Sequence, residues 1–341
     1  MPSPPVELII LIIGIALVFD FTNGFHDSAN AISTIVSTKV LSPRAAVAFA
    51  AFFNFIAAFG FGVAVASTIS KIINLDLVAA EIIPFVVLAA LIGAISWNLI
   101  TWIVGLPTSS SHALIGGMAG AGIAAAGVAG VKVSTVLVVA EFMVVSPIIG
   151  LIAGFLFMVV VLRFTRNLQR EQADRRFRRL QLVSAGAYCF SHGTNDAQKT
   201  MGIITPLLFS IGYFGAGADP GNLPVPLWVI LAAHAAIALG TLTGGWRIVK
   251  TMGYKITRMR PVHGFAAQTV SAGTILGMSM LGIPVSTTHI ISTAIMGVGM
   301  TKGPGAVRWG IARNIVGAWI LTIPASATVG FTAYWVMQFF I

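Results

Sequence analysis

The chain has 341 residues, of which 57% are hydrophobic and only 9% charged. Soluble domains carry roughly 25% charged residues, whereas apolar runs here repeatedly reach about 20 residues, the length that crosses a bilayer, so a soluble globular protein is excluded. The formal net charge of +10 sits in short loops between apolar runs, which is the positive-inside pattern and excludes a nucleic-acid surface.

Cys189 is the only cysteine, so no internal disulfide or cysteine cluster can form. The opening Met-Pro-Ser-Pro-Pro-Val-Glu lacks the basic n-region of a cleavable signal, and the first apolar run is expected to be retained as a span.

In chain order, the first segment runs from about Val6 to Val36 and is expected to break near Asn23 and Gly24, resuming as a half-helix from Asp27 to Ser37. A second segment covers about Ala45 to Ile69, with Gly60 and Gly62 allowing close helix approach. After a loop with Lys71, Asp76 and Glu81, two apolar arms from Ile83 to Gly127 meet at the uncharged Gly105-Leu-Pro-Thr-Ser-Ser-Ser111. An aqueous loop normally carries charge, so this reads as a re-entrant hairpin with a polar tip at membrane depth.

A fourth segment, about Val133 to Leu162, leads into a linker holding seven arginines between Arg163 and Arg179. The second half then repeats the plan: a broken segment from about Leu182 to Phe214, a loop with Asp219 to Asn222, and a span from about Leu227 to Trp246. A basic loop from Arg247 to Arg260, a hairpin from about His263 to Met300 and a last span from about Arg308 to Phe340 complete it.

Two motif pairs underlie that repetition. Phe21, Gly24 and Asp27 return as Phe190, Gly193 and Asp196 at a constant offset of 169, and Gly105-Leu-Pro-Thr-Ser-Ser-Ser-His112 returns as Gly282-Ile-Pro-Val-Ser-Thr-Thr-His289 at an offset of 177. Matched pairs in the same order indicate an internal duplication.

Charge then sets the expected topology. With the arginine linker cytoplasmic and each hairpin returning to its own side, sixteen basic residues fall inside, against Lys71 and Lys132 outside. The fold class expected is an all-α polytopic membrane protein with two inverted-topology repeats, broken helices and re-entrant hairpins. Residues 1–162 form the first membrane repeat, 163–181 a basic cytoplasmic linker and 182–341 the second, inverted repeat. Both chain ends lie outside a multi-pass cell (inner or plasma) membrane.

Ionisable groups inside a membrane cost about 2.5 to 3.5 kcal/mol each on insertion scales, so Asp27, Asp196 and Lys199 need partners or a task. Lys199 can neutralise an aspartate structurally, or the two aspartates can bind coupling cations or protons. Asn30, Asn195 and Asn23 extend these polar clusters, with Gln198 and His26 as helpers and His192 beside Asp196. Asp20 and Glu141 are read as helpers or interfacial groups, and His234 as structural.

Ser109, Ser110 and Ser111, with Ser286, Thr287 and Thr288, place six hydroxyls at the hairpin tips. Each set opens an apolar half-helix, and a helix N-terminus with hydroxyl donors suits a tetrahedral oxyanion without arginine. Capping needs one such side chain, not three in a row twice. His112 and His289 close the tips as supporting donors rather than metal ligands.

These motifs resemble the inorganic phosphate transporter (PiT) family, in its bacterial low-affinity type. The repeated signature of that family is similar to Gly-Ala-Asn-Asp-Val-Ala-Asn-Ala, and its hairpins carry Pro-Val-Ser-Thr-Thr-His. The resemblance implies cotransport of phosphate with protons or sodium, the aspartate-asparagine motifs serving cations and the Ser/Thr tips serving phosphate.

Two departures bear on the coupling ion: Phe25-His26 stands before Asp27 where the signature has Ala-Asn, and Lys199 replaces the second asparagine of the motif. A fixed ammonium near Asp196 takes the place of a sodium ion, which favours protons. Sodium, with Asp27 and Asn30 as its ligands, is the alternative.

The expected function is therefore secondary active import of inorganic phosphate, alone or with a divalent metal, by cation symport. The chain is expected to be no enzyme and to need no cofactor beyond the coupling ion H+ or Na+. Its partners are phosphate and the lipid bilayer, and a homodimer is compatible with this reading. A sulfate permease of the same fold and a passive channel are the alternatives. An intramembrane hydrolase built on Ser110 or Ser111 with His112 is disfavoured, because adjacent residues on a helix diverge by about 100°.

Overall fold

The computed structural model describes residues 5–60, 62–74, 77–215, 217–219 and 223–340. Asp76, the Pro220 to Asn222 part of the second-half loop and the first four residues of the chain lie outside them. Among the described residues the fold is all-helical, with twelve α-helices in chain order: α1 Val6–Ser37, α2 Pro43–Ile56, α3 Ala64–Ser70, α4 Ile83–Val104, α5 Ser110–Ala126, α6 Val133–Thr165, α7 Arg170–Ser210, α8 Leu227–Thr243, α9 Trp246–Lys250, α10 Pro261–Met280, α11 Thr287–Met300 and α12 Trp309–Met337.

Helices α1, α4, α6 and α12 are each long and apolar enough to cross a membrane. Two bent pairs have the length and composition of a broken span or a re-entrant loop: α2 with its 3-10 continuation turns by 85° into α3, and α8 turns by 61° into α9 and the π-helical turn Thr251–Lys255. Hydropathy does not mark α7 as a span because its centre carries His192, Asn195, Asp196, Gln198 and Lys199, yet residues 191–208 are all buried.

The expected hairpins appear as α4–α5 and α10–α11. At 17 and 14 residues, α5 and α11 are about 26 and 21 Å long at 1.5 Å per residue, shorter than a hydrocarbon core of about 30 Å. Short arms of this kind suit a re-entrant path.

The turns of the two hairpins repeat each other bond for bond. Gly105 and Gly282 both take left-handed φ values, +76° and +71°, which glycine adopts without strain. Leu106 N–H donates to Thr101 O and Ile283 N–H to Met278 O, both at 3.0 Å. Four residues beyond each glycine, Ser109 caps α5 and Ser286 caps α11, each hydroxyl accepting from the histidine N–H three residues on at 3.2 Å.

Packing exchanges elements between the halves. In the first half α5 packs on α12 and α1 on α8; in the second, α11 packs on α6 and α7 on α2. Matched glycines make the crossings close: a Cβ on Gly24 would meet Ile237 O of α8 at 2.1 Å, and one on Gly193 would meet Asn54 O of α2 at 2.7 Å. Likewise, a Cβ on Gly120 would meet Ala327 O of α12 at 2.0 Å, and one on Gly297 would meet Leu151 O of α6 at 2.1 Å.

These crossings correct two expectations. Helix α1 does not break at Asn23 and Gly24, and α7 runs unbroken through Asn195 and Asp196. Gly24 and Gly193 are there for close approach, not for a hinge, and the backbone around both aspartates stays helical, freeing no carbonyls for a cation. The bends lie instead where α2 passes to α3 and α8 to α9. The basic linker expected at 163–181 is largely absorbed into its neighbours: Arg163 lies in the last turn of α6, and Arg170 to Gln181 form the first turns of α7.

Candidate functional site

The two hairpin tips meet at the middle of the fold. Ser111 Oγ donates to Val285 O of the opposite tip at 3.3 Å, and the His112 and His289 rings stand edge to face at 4.8 Å. His289 also stacks on Trp319 of α12 at 3.8 Å, whose indole N–H donates to Pro107 O at 2.9 Å. One aromatic residue thus braces both tips.

The six tip hydroxyls divide by task. Ser109 and Ser286 are the helix caps described above. Ser110 Oγ donates to Asn23 Oδ1 at 2.6 Å. Thr287 and Thr288 reach Asp27, with Oγ1 atoms 3.5 Å from Oδ2 and 3.3 Å from Oδ1, while Asn30 Nδ2 donates to Thr288 Oγ1 at 2.8 Å. The first N–H groups of α5 and α11 beside them lack intrahelical acceptors.

Both aspartates sit inside, in helices α1 and α7 that cross at the tips. Lys199, one turn on from Asp196, places Nζ 2.7 Å from Asp196 Oδ1. Asn195 Nδ2 donates to the same oxygen at 2.7 Å and to Val285 O at 3.1 Å, and Asn23 Nδ2 donates to Asp196 Oδ2 at 3.3 Å. Asp27 has His26 Nδ1 at 2.9 Å from Oδ1.

Between the two carboxylates stands His192, its Nε2 3.4 Å from Asp196 Oδ2 and 3.9 Å from Asp27 Oδ2. These three residues also have the compactness of a cation site. All of the groups just named are buried. Asn23 bonds both Ser110 and Asp196, and Thr288 both Asn30 and Asp27, so each carboxylate is tied to one tip, with His192 standing between the two sets.

Gln198 holds the bent part of the fold: its Oε1 accepts from Val65 N–H and Ala66 N–H at 2.8 and 3.2 Å. Sequence reasoning placed His192 beside Asp196 but not between the two aspartates. It missed Asn54, whose Oδ1 lies 3.1 Å from His192 Nδ1 and whose Nδ2 donates to Thr241 at 2.9 Å. It also missed Thr101 and Thr108, whose hydroxyls lie 3.3 and 3.5 Å from His26 Nε2. Asn54 was findable as a lone polar residue in an apolar run. Asp20 is buried, and neither of its oxygens makes a hydrogen bond, although Asn23, Thr200, Asp196 and Lys199 surround it. Glu141 is exposed on α6, and His234 Nδ1 turns to Ile230 O of its own helix at 2.9 Å.

A model of the phosphate transporter family matches residues 23–330, which include both aspartates and both tips. The chain belongs to that family. It is 51% identical over 328 residues to a probable low-affinity inorganic phosphate transporter of Rhizobium meliloti (strain 1021), covering 96% of each chain. With a protein of the same description from Bacillus subtilis (strain 168) it shares 46% identity, covering 97% of each. A solved structure described as "The sodium-dependent phosphate transporter" superposes with a TM-score of 0.88 at 27% identity, covering 98% of this chain and all of that one.

The chain is accordingly a multi-pass membrane protein of an inorganic phosphate transporter family rather than an enzyme, and the hydrolase alternative falls. All six tip hydroxyls are buried, with Thr287 and Thr288 directly against Asp27 and Ser110 linked through Asn23 to Asp196.

Proposed function

We propose that this protein imports inorganic phosphate by proton symport across the cell membrane. Phosphate is held by Ser110, Ser111, Thr287 and Thr288 with the free N–H groups of α5 and α11, and the coupling charge moves through Asp27, His192, Asp196 and Lys199. Residues 1–162 and 182–341 act as the two inverted repeats, with the arginine-rich segment 163–181 on the cytoplasmic face and both termini outside, as the positive-inside rule requires.

One observation carries the reading of the ion. Lys199 Nζ lies against Asp196 at 2.7 Å, and His192 bridges toward Asp27. A cation already occupies the second aspartate, and a titratable ring connects it to the first.

The hydrogen bonds supply the coupling itself. The hydroxyl protons of Thr287 and Thr288 are directed at Asp27. A phosphate that accepts those hydrogen bonds leaves Asp27 with fewer donors, and a buried carboxylate without donors favours binding a proton or a cation. Phosphate and coupling ion therefore raise each other's affinity, as linkage demands. Phosphate also brings its own O–H to a site with carboxylate acceptors, which sulfate at neutral pH does not.

A second reading, sodium coupling at Asp27 and Asn30, is favoured by the solved structural relative, which is described as sodium-dependent. Radiolabelled phosphate uptake into proteoliposomes, with each ion gradient imposed alone, separates the two. Uptake driven by an inward proton gradient in sodium-free buffer is expected. Uptake that demands sodium and ignores the proton gradient overturns the proposal. Repeating the assay with and without magnesium, and with sulfate as competitor, tests metal-phosphate as cargo and the choice of oxyanion.

A further inference from the structure

A second concentration of positive charge lies away from the tips. A cavity of about 270 Å³ is lined by Tyr254, Thr257, Arg258, Lys302, Gly305, Ala306 and Arg308. It is formed where the connection from α9 to α10 meets the connection from α11 to α12, with Arg308 N–H donating to Ile256 O at 3.0 Å and the Lys302 ammonium donating to Arg258 O.

Three cations line this cavity and, among the described residues, no carboxylate does. The nearby Arg260 is already spent on Asp174 at 2.9 Å. Thr257 is buried, and its hydroxyl has no hydrogen-bond partner, a costly arrangement unless something else enters. Partial desolvation, and after it the Arg260 guanidinium, push the pKa of Lys302 below that of an ordinary lysine.

We propose that this cavity is a second anion site, for the phosphate group of a small phosphorylated anion or of a lipid headgroup. The chemistry fits that class. Two guanidinium forks and an ammonium suit a multiply charged tetrahedral anion better than a single carboxylate, and Thr257 Oγ1 adds a neutral donor at the wall. An occupant here ties the exit of α11, which carries a transport tip, to the start of α10, which belongs to the same hairpin. The site is independent of the coupling ion and shares no residue with the transport site.

The test uses full-length protein in phosphatidylcholine nanodiscs, with radiolabelled inorganic phosphate as the probe. In a Ser110→Ala/Thr287→Ala background, which removes the proposed transport site, a second class of phosphate binding is expected to persist. Adding Arg258→Gln, Lys302→Gln and Arg308→Gln should weaken it at least tenfold, and Thr257→Val alone about threefold, with melting curves confirming that each variant is folded. If the triple variant does not fold, Arg308→Gln alone should still weaken binding several-fold.

Nanodiscs containing phosphatidic acid form the second arm. Displacement of the probe by that lipid, lost with the three basic residues, assigns the phosphate group to a headgroup, and its absence assigns it to the free anion. The proposal is overturned if the residual phosphate binding is indifferent to all three substitutions, if none remains once the transport site is removed and phosphatidic acid fails to bind as well, or if chloride at equal ionic strength competes equally well.

Discussion

Lys199 and Asp196 lie one turn apart on α7, with Nζ and Oδ1 separated by 2.7 Å and both side chains fully buried. Both side chains are shielded from solvent, so their charges are balanced by each other, by His192 and by the amides of Asn23 and Asn195, with the Asp20 carboxylate also nearby. Removing one partner of such a pair typically costs about 3–5 kcal/mol, whereas replacing both is often nearly neutral.

Lys199→Asn and Asp196→Asn should therefore each lower the melting temperature of the purified protein sharply and abolish uptake. The double variant should recover most of the lost stability but no proton-driven uptake. Thermal denaturation alongside proteoliposome flux checks this. A double variant as unstable as either single one would contradict the pairing.

Close crossings at glycine make a second, purely steric prediction. Gly24→Ala and Gly120→Ala would place a Cβ within 2.1 and 2.0 Å of the carbonyls of Ile237 and Ala327, and overpacking of this kind costs about 1–3 kcal/mol or more. Gly14 on the outer face of α1 has nothing within 4 Å, so Gly14→Ala should be neutral or stabilise by about 0.5–1 kcal/mol through helix propensity. Expression and melting of the three variants give the comparison.

Hydroxyls within one tip should also behave differently. Ser109→Ala and Ser286→Ala remove helix caps and should each cost about 1 kcal/mol of stability, while leaving a measurable rate of phosphate uptake. Ser110→Ala and Thr288→Ala break the links to Asn23 and Asp27 and should raise the KM for phosphate at least tenfold with a smaller effect on melting. Uptake kinetics of the four variants decide this, and equal effects on KM would remove the division of tasks.

Asp20 is a buried carboxylate whose oxygens have no hydrogen-bond partner, and leaving such a group unsatisfied costs about 1–3 kcal/mol. Asp20→Asn should raise the melting temperature. Phosphate uptake should persist, since Asp20 bonds none of the tip hydroxyls. A complete loss of transport in a well-folded Asp20→Asn protein would instead place this carboxylate in the ion path.

Much of this architecture was legible in one dimension. Apolar run length and the 9% charged share state the preference of the chain for lipid residue by residue, and the offsets of 169 and 177 survive in the sequence because equivalent turns need equivalent residues. Gly105 and Gly282 are both required by a left-handed turn, and Ser109 and Ser286 both by a helix start. The uncharged tips likewise pointed to burial, and all six tip hydroxyl residues are buried. That the tips approach each other was an inference from the duplication, and Ser111 Oγ against Val285 O is that approach in atomic terms.

What the sequence did not determine depends on distances between helices. Asn23-Gly24 looked like a break because glycine weakens a helix in isolation, but the decisive fact is the Ile237 carbonyl on another element, which only a residue without a side chain can approach. In the same way, His192 becomes the bridge between Asp27 and Asp196, and Asn54 its support, only because α1, α2 and α7 cross at one level. Hydropathy and motif are local properties of the chain and can be read from it directly. Which hydroxyl caps a helix, which faces a carboxylate and which buried charge lacks a partner are settled by how the helices pack, where tenths of an ångström decide the energy.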